Sequence, residues 1–403
     1  MSQNVLATSN VVCKKALMVL ENMLEFSSNI NREYESEFTG GMARGYAPGN
    51  TINIKRPPRF TYRDGRVAAP QSTTETTIPL TLSQGGVDIY FNSSERTLSL
   101  TRLEDKLQAA MASVVNEIDR RCLEMVHYQT FNALNPALTS PNTQTLALDA
   151  VTSINQRLDE MAAPRDKQRS LTLSPSLNAK LITGFAGLFN NQPKLSEQYG
   201  SGVMVDSLGI KYHMDQNIAT HTNGAATATN INGSGQFGNT LTVVATTGGT
   251  LTRGTIITLP GVFAVNPQSR GSTGSLAQFI VTADVPVGST SIPISPAIIP
   301  SGVFQNVTAS PTTGQPYAIF GAASTSYTCS VGYHKDAFTL ASVPMWMPPK
   351  GNGVVDVHQE QSNGLNLKVT EGYDFQNDVS VMRIDILWGI AATYPELSVK
   401  YAL

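Results

Sequence analysis

Charge is scarce in this chain. Acidic and basic residues make up 14% of its 403 residues, well below the roughly 25% of an average soluble protein. They nearly cancel, 28 Lys and Arg against 30 Asp and Glu, leaving a formal net charge of −2. A near-neutral chain lacks the general positive field that drives tight nucleic-acid binding. A surface poor in charge is also poorly protected against association. The composition therefore fits either a neutral β-rich protein or a subunit whose surface is largely covered by neighbours.

Cysteine is scarce as well. Cys13, Cys122 and Cys329 lie far apart and form no CxxC pair, which excludes a disulfide framework and fits a reducing compartment. No basic segment followed by an apolar stretch opens the chain, so no signal peptide is read. No apolar run approaches the roughly 18 residues of a transmembrane helix. These absences predict assembly in the cytoplasm and no membrane partner. The Asn-x-Ser/Thr matches at Asn92 and Asn306 then carry no glycosylation meaning.

Signals for chemistry are equally thin. His127, His213, His221, His334 and His358 show no HExxH or other ligand spacing. Residues 233–238 match GxGxxG, but Thr240-Leu241-Thr242-Val243-Val244 follow. That is a strand pattern where a dinucleotide site needs a helix. GxSxG and the Walker lysine motif are missing. Asp159 and Glu160 are adjacent on a predicted helix and point different ways. No catalytic, cofactor-binding or metal-binding residue is assigned, no cofactor is expected, and the chain does not read as an enzyme.

What the sequence does contain is pattern. Leu100, Leu103, Leu107, Met111, Val114, Ile118, Cys122 and Met125 recur at steps of three and four, one apolar stripe on a long helix. Neither Gly nor Pro interrupts 101–128, which predicts a rod about 42 Å long at about 1.5 Å per residue. Thr101 and Glu104 fit a capping box, and Glu117 with Arg121 an i,i+4 pair. Before this spine, 5–26 reads as a helix and 29–49 as an extended arm. Thr51-Ile52-Asn53-Ile54 alternates like a strand, Asp64-Gly65 is a turn signal, and 72–82 returns as a Thr-rich strand. This excursion carries Lys55, Arg56, Arg59, Arg63 and Arg66. It has too few apolar residues for a private core, so it should lie on something else, such as a neighbouring subunit.

After the spine, 146–161 reads as a second helix stopped by Ala163-Pro164. Leu171-Thr172-Leu173 reads as a strand, 174–182 as a short helix, 184–202 as loop and 203–214 as strand-like. From 222 to about 316 the only charges are Arg253, Arg270 and Asp284. Short β-prone runs at 241–245, 255–259, 279–282 and 291–294 alternate there with turn residues, which predicts a small barrel or sandwich. Mixed character returns after Tyr317. Residues 365–370 and 379–394 read as strands, the second with Ile384, Ile386, Trp388 and Ile390 on one face.

The last strands carry a resemblance. Ser362-Asn363-Gly364-Leu365-Asn366-Leu367, Tyr373-Asp374-Phe375-Gln376-Asn377-Asp378 and Arg383-Ile384-Asp385-Ile386-Leu387-Trp388-Gly389 resemble the carboxyl-terminal block of major capsid (coat) proteins of tailed bacteriophages. Tyr333-His334-Lys335-Asp336-Ala337-Phe338 and the spine segment 91–127 resemble two further blocks. The β-rich insertion, with its 246–255 stretch, is similar to the subgroup that carries an extra domain.

The resemblance implies an α+β chain with the tailed-phage capsid fold plus an inserted small β-barrel-like domain. It implies an N-terminal arm at 1–49, an extended loop at 50–86, and a peripheral domain with the spine helix at 87–140 and 318–403. An axial domain at 141–221 and the inserted β-rich domain at 222–317 complete it. The implied role is a shell subunit forming pentamers and hexamers of an icosahedral head around double-stranded DNA, with non-specific DNA contact and a portal protein as partners. The chain opens directly on the arm helix, so a separate scaffolding protein is the expected assembly partner. The implied location is the virion capsid. Self-crosslinking through Lys55 with Asn352 or Asn363 would be open to such a fold. A β-rich phage decoration or host-adhesion protein is the alternative, against which the spine and α/β middle speak.

Overall fold

The computed structural model describes residues 13, 16, 24–32, 49–60, 62, 65, 66, 70, 76–92, 103–185, 206–351, 353–362 and 365–403; side chains in the long helix are described from Ala109 onward. In chain order, β1 (Thr51–Arg56), β2 (Thr76–Thr81) and β3 (Ser83–Asn92) precede a long helix, α1 (Leu103–Gln129). Next come β4 (Ala133–Leu134), α2 (Gln144–Glu160), β5 (Arg169–Leu173), α3 (Pro175–Phe185), β6 (Lys211–Met214) and β7 (Thr220–Thr222). The charge-poor segment holds β8 (Gly238–Thr242), β9 (Ile256–Val265), β10 (Ser272–Val281), β11 (Ser291–Ile298) and β12 (Ala318–Ile319). The chain returns through β13 (Ser326–His334), β14 (Phe338–Ser342), β15 (Val354–Ser362), β16 (Leu365–Asp374), β17 (Val379–Ala392) and β18 (Ser398–Ala402). It divides into two compact units. The first comprises 1–55, 77–122 and 338–391, the second 56–76, 123–337 and 392–403.

The first unit is built on the sheet β14-β17-β16-β15, with β3 pairing antiparallel to β17. Strand alternation decides its faces. On β17, Met382, Ile384, Ile386 and Trp388 are buried while Val381 and Arg383 face outward, as the sequence pattern predicts; Ile390 is half-buried. β1 and β2 form a two-stranded sheet. Their Ile52, Ile54 and Leu80, with Leu82 just after β2, pack with Ala341, Val343 and Ala391 of the same chain. The excursion thus lies on something else, as expected, and at its base that support is its own subunit. The approach is close: a Cβ on Gly389 would stand 2.2 Å from the Thr81 carbonyl oxygen.

α1 buries Met111, Val114, Ile118 and Cys122 as its periodicity requires, while Met125 is half-buried. Val115, Leu123 and Val126 are buried too, so the stripe is wider than the one read, as in helices packed on more than one side. Residues 103–122 count with the first unit and 123–129 with the second. Leu100, Leu107 and the Thr101–Glu104 capping box lie outside the described side chains. Glu117 meets Arg121 at 2.6 Å and also Arg120 at 2.8 Å. Their hydrogen bonds, Arg120's first, hold its carboxyl down at about 2. On the same helix Asp119, 2% exposed, accepts the backbone N–H groups of Glu25 and Ser27, both at 3.1 Å. The predicted 5–26 helix and 29–49 arm lie largely outside the described residues; Cys13 and Ala16 are helical and buried.

The second unit holds the sheet β4-β18-β13-β5-β6, with β7 also on β13. α2 and α3 bury Ile154, Leu158, Leu177, Leu181 and Phe185 against Leu171 and Leu173 of its buried strand β5. Thr143 caps α2, its hydroxyl accepting the Leu146 N–H at 3.4 Å. Thr143→Ala is expected to cost about 1 kcal/mol, read as a small downward shift of the thermal midpoint by circular dichroism. Of the strand read over 203–214, residues 203–205 lie outside the described residues; among 206–214 Lys211–Met214 is strand, because Ser207 and Ile210 close a turn with positive φ at Leu208 and Gly209.

The charge-poor segment forms a five-stranded antiparallel sheet ordered β12-β9-β10-β11-β8. Its core includes Leu241, Ile257, Leu259, Phe279, Ile292 and Tyr317. β12 pairs with β9 through Ala318 and Ile319, so the sheet reaches past 317. The GxGxxG match leads into β8, and Gln236 ties its turn by donating to the carbonyls of Asn232, Gly233 and Thr242, each at 2.9 Å. It is a turn between strands, as its sequence context predicts.

Candidate functional site: the polar junctions beneath the β-rich segment

A segment with so few charges must be held by other means, and two buried polar clusters in the second unit hold it. The first lies where α1 ends. His127 on its last turn, His221 on β7 and Thr255 form a chain: His127 Nε2 lies 3.2 Å from His221 Nδ1, and His221 Nε2 lies 3.2 Å from Thr255 Oγ1. Lys400 on β18, 1% exposed, donates from Nζ to the His127 carbonyl oxygen at 2.9 Å. A cation there is favourable because carbonyls in the last turn of a helix lack intrahelical partners and carry its negative pole. Arg253 lies over the Tyr128 ring, 4.1 Å from its centroid, and its backbone N–H donates to Asp284 at 2.7 Å. Gly254, at φ +90°, passes so close that a Cβ would stand 3.1 Å from His127 Nε2.

The electrostatics follow from burial without a carboxylate. Burial, then the charges of Lys400, His221 and Arg253, push His127 down to about 2. Burial and Lys400 push His221 down to about 4. Both rings are neutral at pH 7, and with both carrying the proton on Nε2 each donates along the chain toward Thr255. His127 Nδ1 is buried and has no hydrogen-bond partner among the described residues. Burial lowers Lys400 to about 8 and raises the neighbouring Cys329 thiol to about 11. Lys400→Met keeps the stem and removes the buried charge, whose desolvation opposes folding. Its expected melting temperature, by calorimetry at pH 7, is at or above the parent's. A drop of several degrees would show that the Lys400–His127 bond outweighs that desolvation.

The second cluster centres on Arg157 of α2, 5% exposed. Its guanidinium donates to Asn132 Oδ1 at 3.2 Å, Glu160 Oε2 at 3.0 Å and the Leu276 carbonyl at 3.4 Å. Glu160 also accepts from Ser275 Oγ at 3.2 Å, and its carbonyl from Asn266 Nδ2 at 2.8 Å. Gln278 imitates a strand partner for Ala133, accepting its N–H at 2.7 Å and donating to its carbonyl at 2.9 Å. Between the clusters lies an apolar patch that includes Phe131, Ile256, Ile280, Phe320, Tyr327 and Ala402.

This arrangement fastens; it does not poise a reactive group. Asp159 turns to Arg165 and Arg169 while Glu160 turns to Arg157, so the adjacent carboxylates part as predicted. His334 sits between Asp166 and Asp336, and His358 beside Glu360. Of the basic loop residues, Arg56 and Arg59 share Glu396 at 3.3 and 3.4 Å. Asn352 and Asn363 lie outside the described residues. Among the described residues, no three His, Cys, Asp or Glu side chains are grouped to hold a metal, and no helix is long and apolar enough to cross a membrane. Sequence reasoning missed the His127–His221 pair because 94 residues separate them. The polar residues of 398–400, unexpected beside Val399 in a strand, were the available signal.

Several sheets, a long helix and a charge-poor β segment define a mixed α+β protein. The profile of the family described as P22 coat protein, gene protein 5, matches residues 86–400, and the chain belongs to that family. It is a phage coat (major capsid) protein, a component of the virion and by family a non-enzymatic structural protein. No curated protein matches the sequence significantly. Among solved structures, the chain is similar to one titled Mycobacterium phage Che8, at 13% identity over 93% of this chain and 90% of that one, with a TM-score of 0.49. It is also similar to the capsid of Ralstonia phage GP4, at 9% identity over 88% and 83% of the two chains, with a TM-score of 0.44. A virus-like particle from Pyrococcus furiosus is similar at 10% identity over 97% of both chains, with a TM-score of 0.42.

Proposed function

We propose that copies of this coat protein assemble into pentamers and hexamers that close as an icosahedral head around double-stranded DNA. The observation that carries the reading is the family match over 86–400. In this reading 1–49 is an arm, 50–86 an extended loop, 87–140 with 318–403 a peripheral domain, 141–221 an axial domain, and 222–317 an inserted barrel-like domain. The apolar core within the β-rich segment and its two polar junctions support treating it as a docked module. The near absence of net charge supports non-specific rather than tight DNA contact. A scaffolding protein and a portal protein are the proposed partners, and assembly takes place in the host cytoplasm.

Co-expression with the scaffolding protein of the same phage tests the reading. Closed shells are expected by negative-stain electron microscopy, together with rapid sedimentation. A subunit that stays monomeric at every concentration with scaffold present would overturn it.

A further inference from the structure

A groove of about 360 Å³ lies wholly within the second unit. Its walls are largely apolar, with Pro58, Phe60, Met161, Pro267 and Leu397 among them, and Phe60 is 57% exposed. Its polar rim is cationic. Arg59 and Arg270 line it, and Arg56 stands beside Arg59 on Glu396. The groove and its edge thus carry three arginines and one carboxylate, which Arg56 and Arg59 already share. Arg270 donates from Nη2 to the Phe60 carbonyl at 3.1 Å, while its Nε is buried with no hydrogen-bond partner among the described residues.

The first unit offers an exposed aromatic side chain between charges of the opposite sign. The turn joining β16 to β17 holds Phe375, 78% exposed, between the exposed carboxylates Asp374 and Asp378. The turn is braced from within. Asp374 accepts the Gln376 N–H at 3.0 Å and the Asn377 amide at 2.6 Å, and Asp378 accepts the Tyr373 hydroxyl at 2.8 Å. A braced turn loses little entropy on docking, and an aromatic anchor flanked by charges is the usual centre of a protein contact.

We propose that this turn of one copy of the chain seats Phe375 in the groove of a second copy, with Asp374 and Asp378 facing Arg59 and Arg270. The contact joins two different surfaces, so it propagates from copy to copy and closes by rotation, as a shell requires. It deepens the coat-protein reading by naming one contact through which copies meet.

Disulfide trapping tests it on the full chain. Gln376→Cys and Gln268→Cys, both at exposed positions, are placed on two differently tagged copies; the three native cysteines are buried. After assembly with scaffold and mild oxidation, mass spectrometry should find a peptide linking 376 of one tag to 268 of the other. The yield should fall at least tenfold with Phe375→Ala or with Arg59→Glu and Arg270→Glu together. Adding Asp374→Arg and Asp378→Arg to the copy that supplies the turn should restore the yield lost with the two glutamates. No mixed-tag link, or a yield indifferent to these changes, overturns the proposal. So does a link found only within one chain when both cysteines are on it. If the parent forms no shells, the coat-protein reading fails on that result alone. The same link sought in concentrated solution then still decides the groove, and its absence there overturns it.

Discussion

Arg157→Ala is expected to destabilise the chain by about 3–5 kcal/mol, the usual cost of breaking a buried charged network from one side. The guanidinium is almost fully enclosed. Burial lowers its pKa and Glu160 partly restores it. Its removal leaves Asn132 Oδ1 and the Leu276 carbonyl without their donor and strands Glu160, which is only 13% exposed. A domain has only about 5–15 kcal/mol in all, so the variant should give few soluble subunits. Urea unfolding followed by circular dichroism measures the loss. Arg165→Ala is the control, because Arg165 lies exposed in the loop after the same helix, paired with Asp159, and its removal should leave the midpoint unchanged. If the two variants unfold alike, the Arg157 junction contributes nothing to holding the β-rich segment.

Acid should weaken the fold through His127 and His221. Both are held below their ordinary value of about 6.5, to about 2 and about 4. Below 6.5 the unfolded chain therefore binds protons that the folded chain refuses, so stability falls as pH falls. Each histidine contributes up to about 1.4 kcal/mol per pH unit below 6.5, until its own folded value is reached. Between pH 6.5 and pH 5 the loss is up to about 2 kcal/mol for each. The facing groups Lys400, Tyr327 and Cys329 keep their protonation over this window. Lys400, lowered to about 8, instead makes stability rise between about pH 8 and its unfolded value near 10.5. Calorimetric melts from pH 7 to pH 5 should show a steep fall for the parent and a flatter one for the double variant His127→Gln with His221→Gln. Equal slopes would show that the pair titrates normally.

Local pattern carried further than composition in making the fold legible. The spine read over 101–128 is α1, Leu103–Gln129, and the second helix read over 146–161 is Gln144–Glu160. Helical periodicity and caps are written within a few residues of each other, so tertiary context had little to override. The charge-poor stretch was legible as one β-rich segment for the same reason, although its strands run longer than the β-prone runs within them. β9 extends to Val265 and β10 begins at Ser272, since pairing between the two strands recruits residues of no marked propensity.

Three return strands escaped notice. β18 reads Ser-Val-Lys-Tyr-Ala, and all five residues are buried. Alternating polar residues predict a half-exposed strand, but β13 pairs along it and the end of α1 accepts the Lys400 ammonium. β13 is mostly buried between β5 and β18, and β15 alternates polar residues too evenly to show a core face. The amino-acid sequence by itself determined the helices, the β character of the charge-poor segment, the shortage of charge and the order of blocks that mark a coat protein. Only the tertiary structure decided that His127 meets His221, that Arg157 reaches the strand carrying Leu276, and that Arg56 and Arg59 share Glu396. Those groups are separated by scores to hundreds of residues, and neither spacing nor propensity carries the distance between side chains that long-range strand pairing brings together.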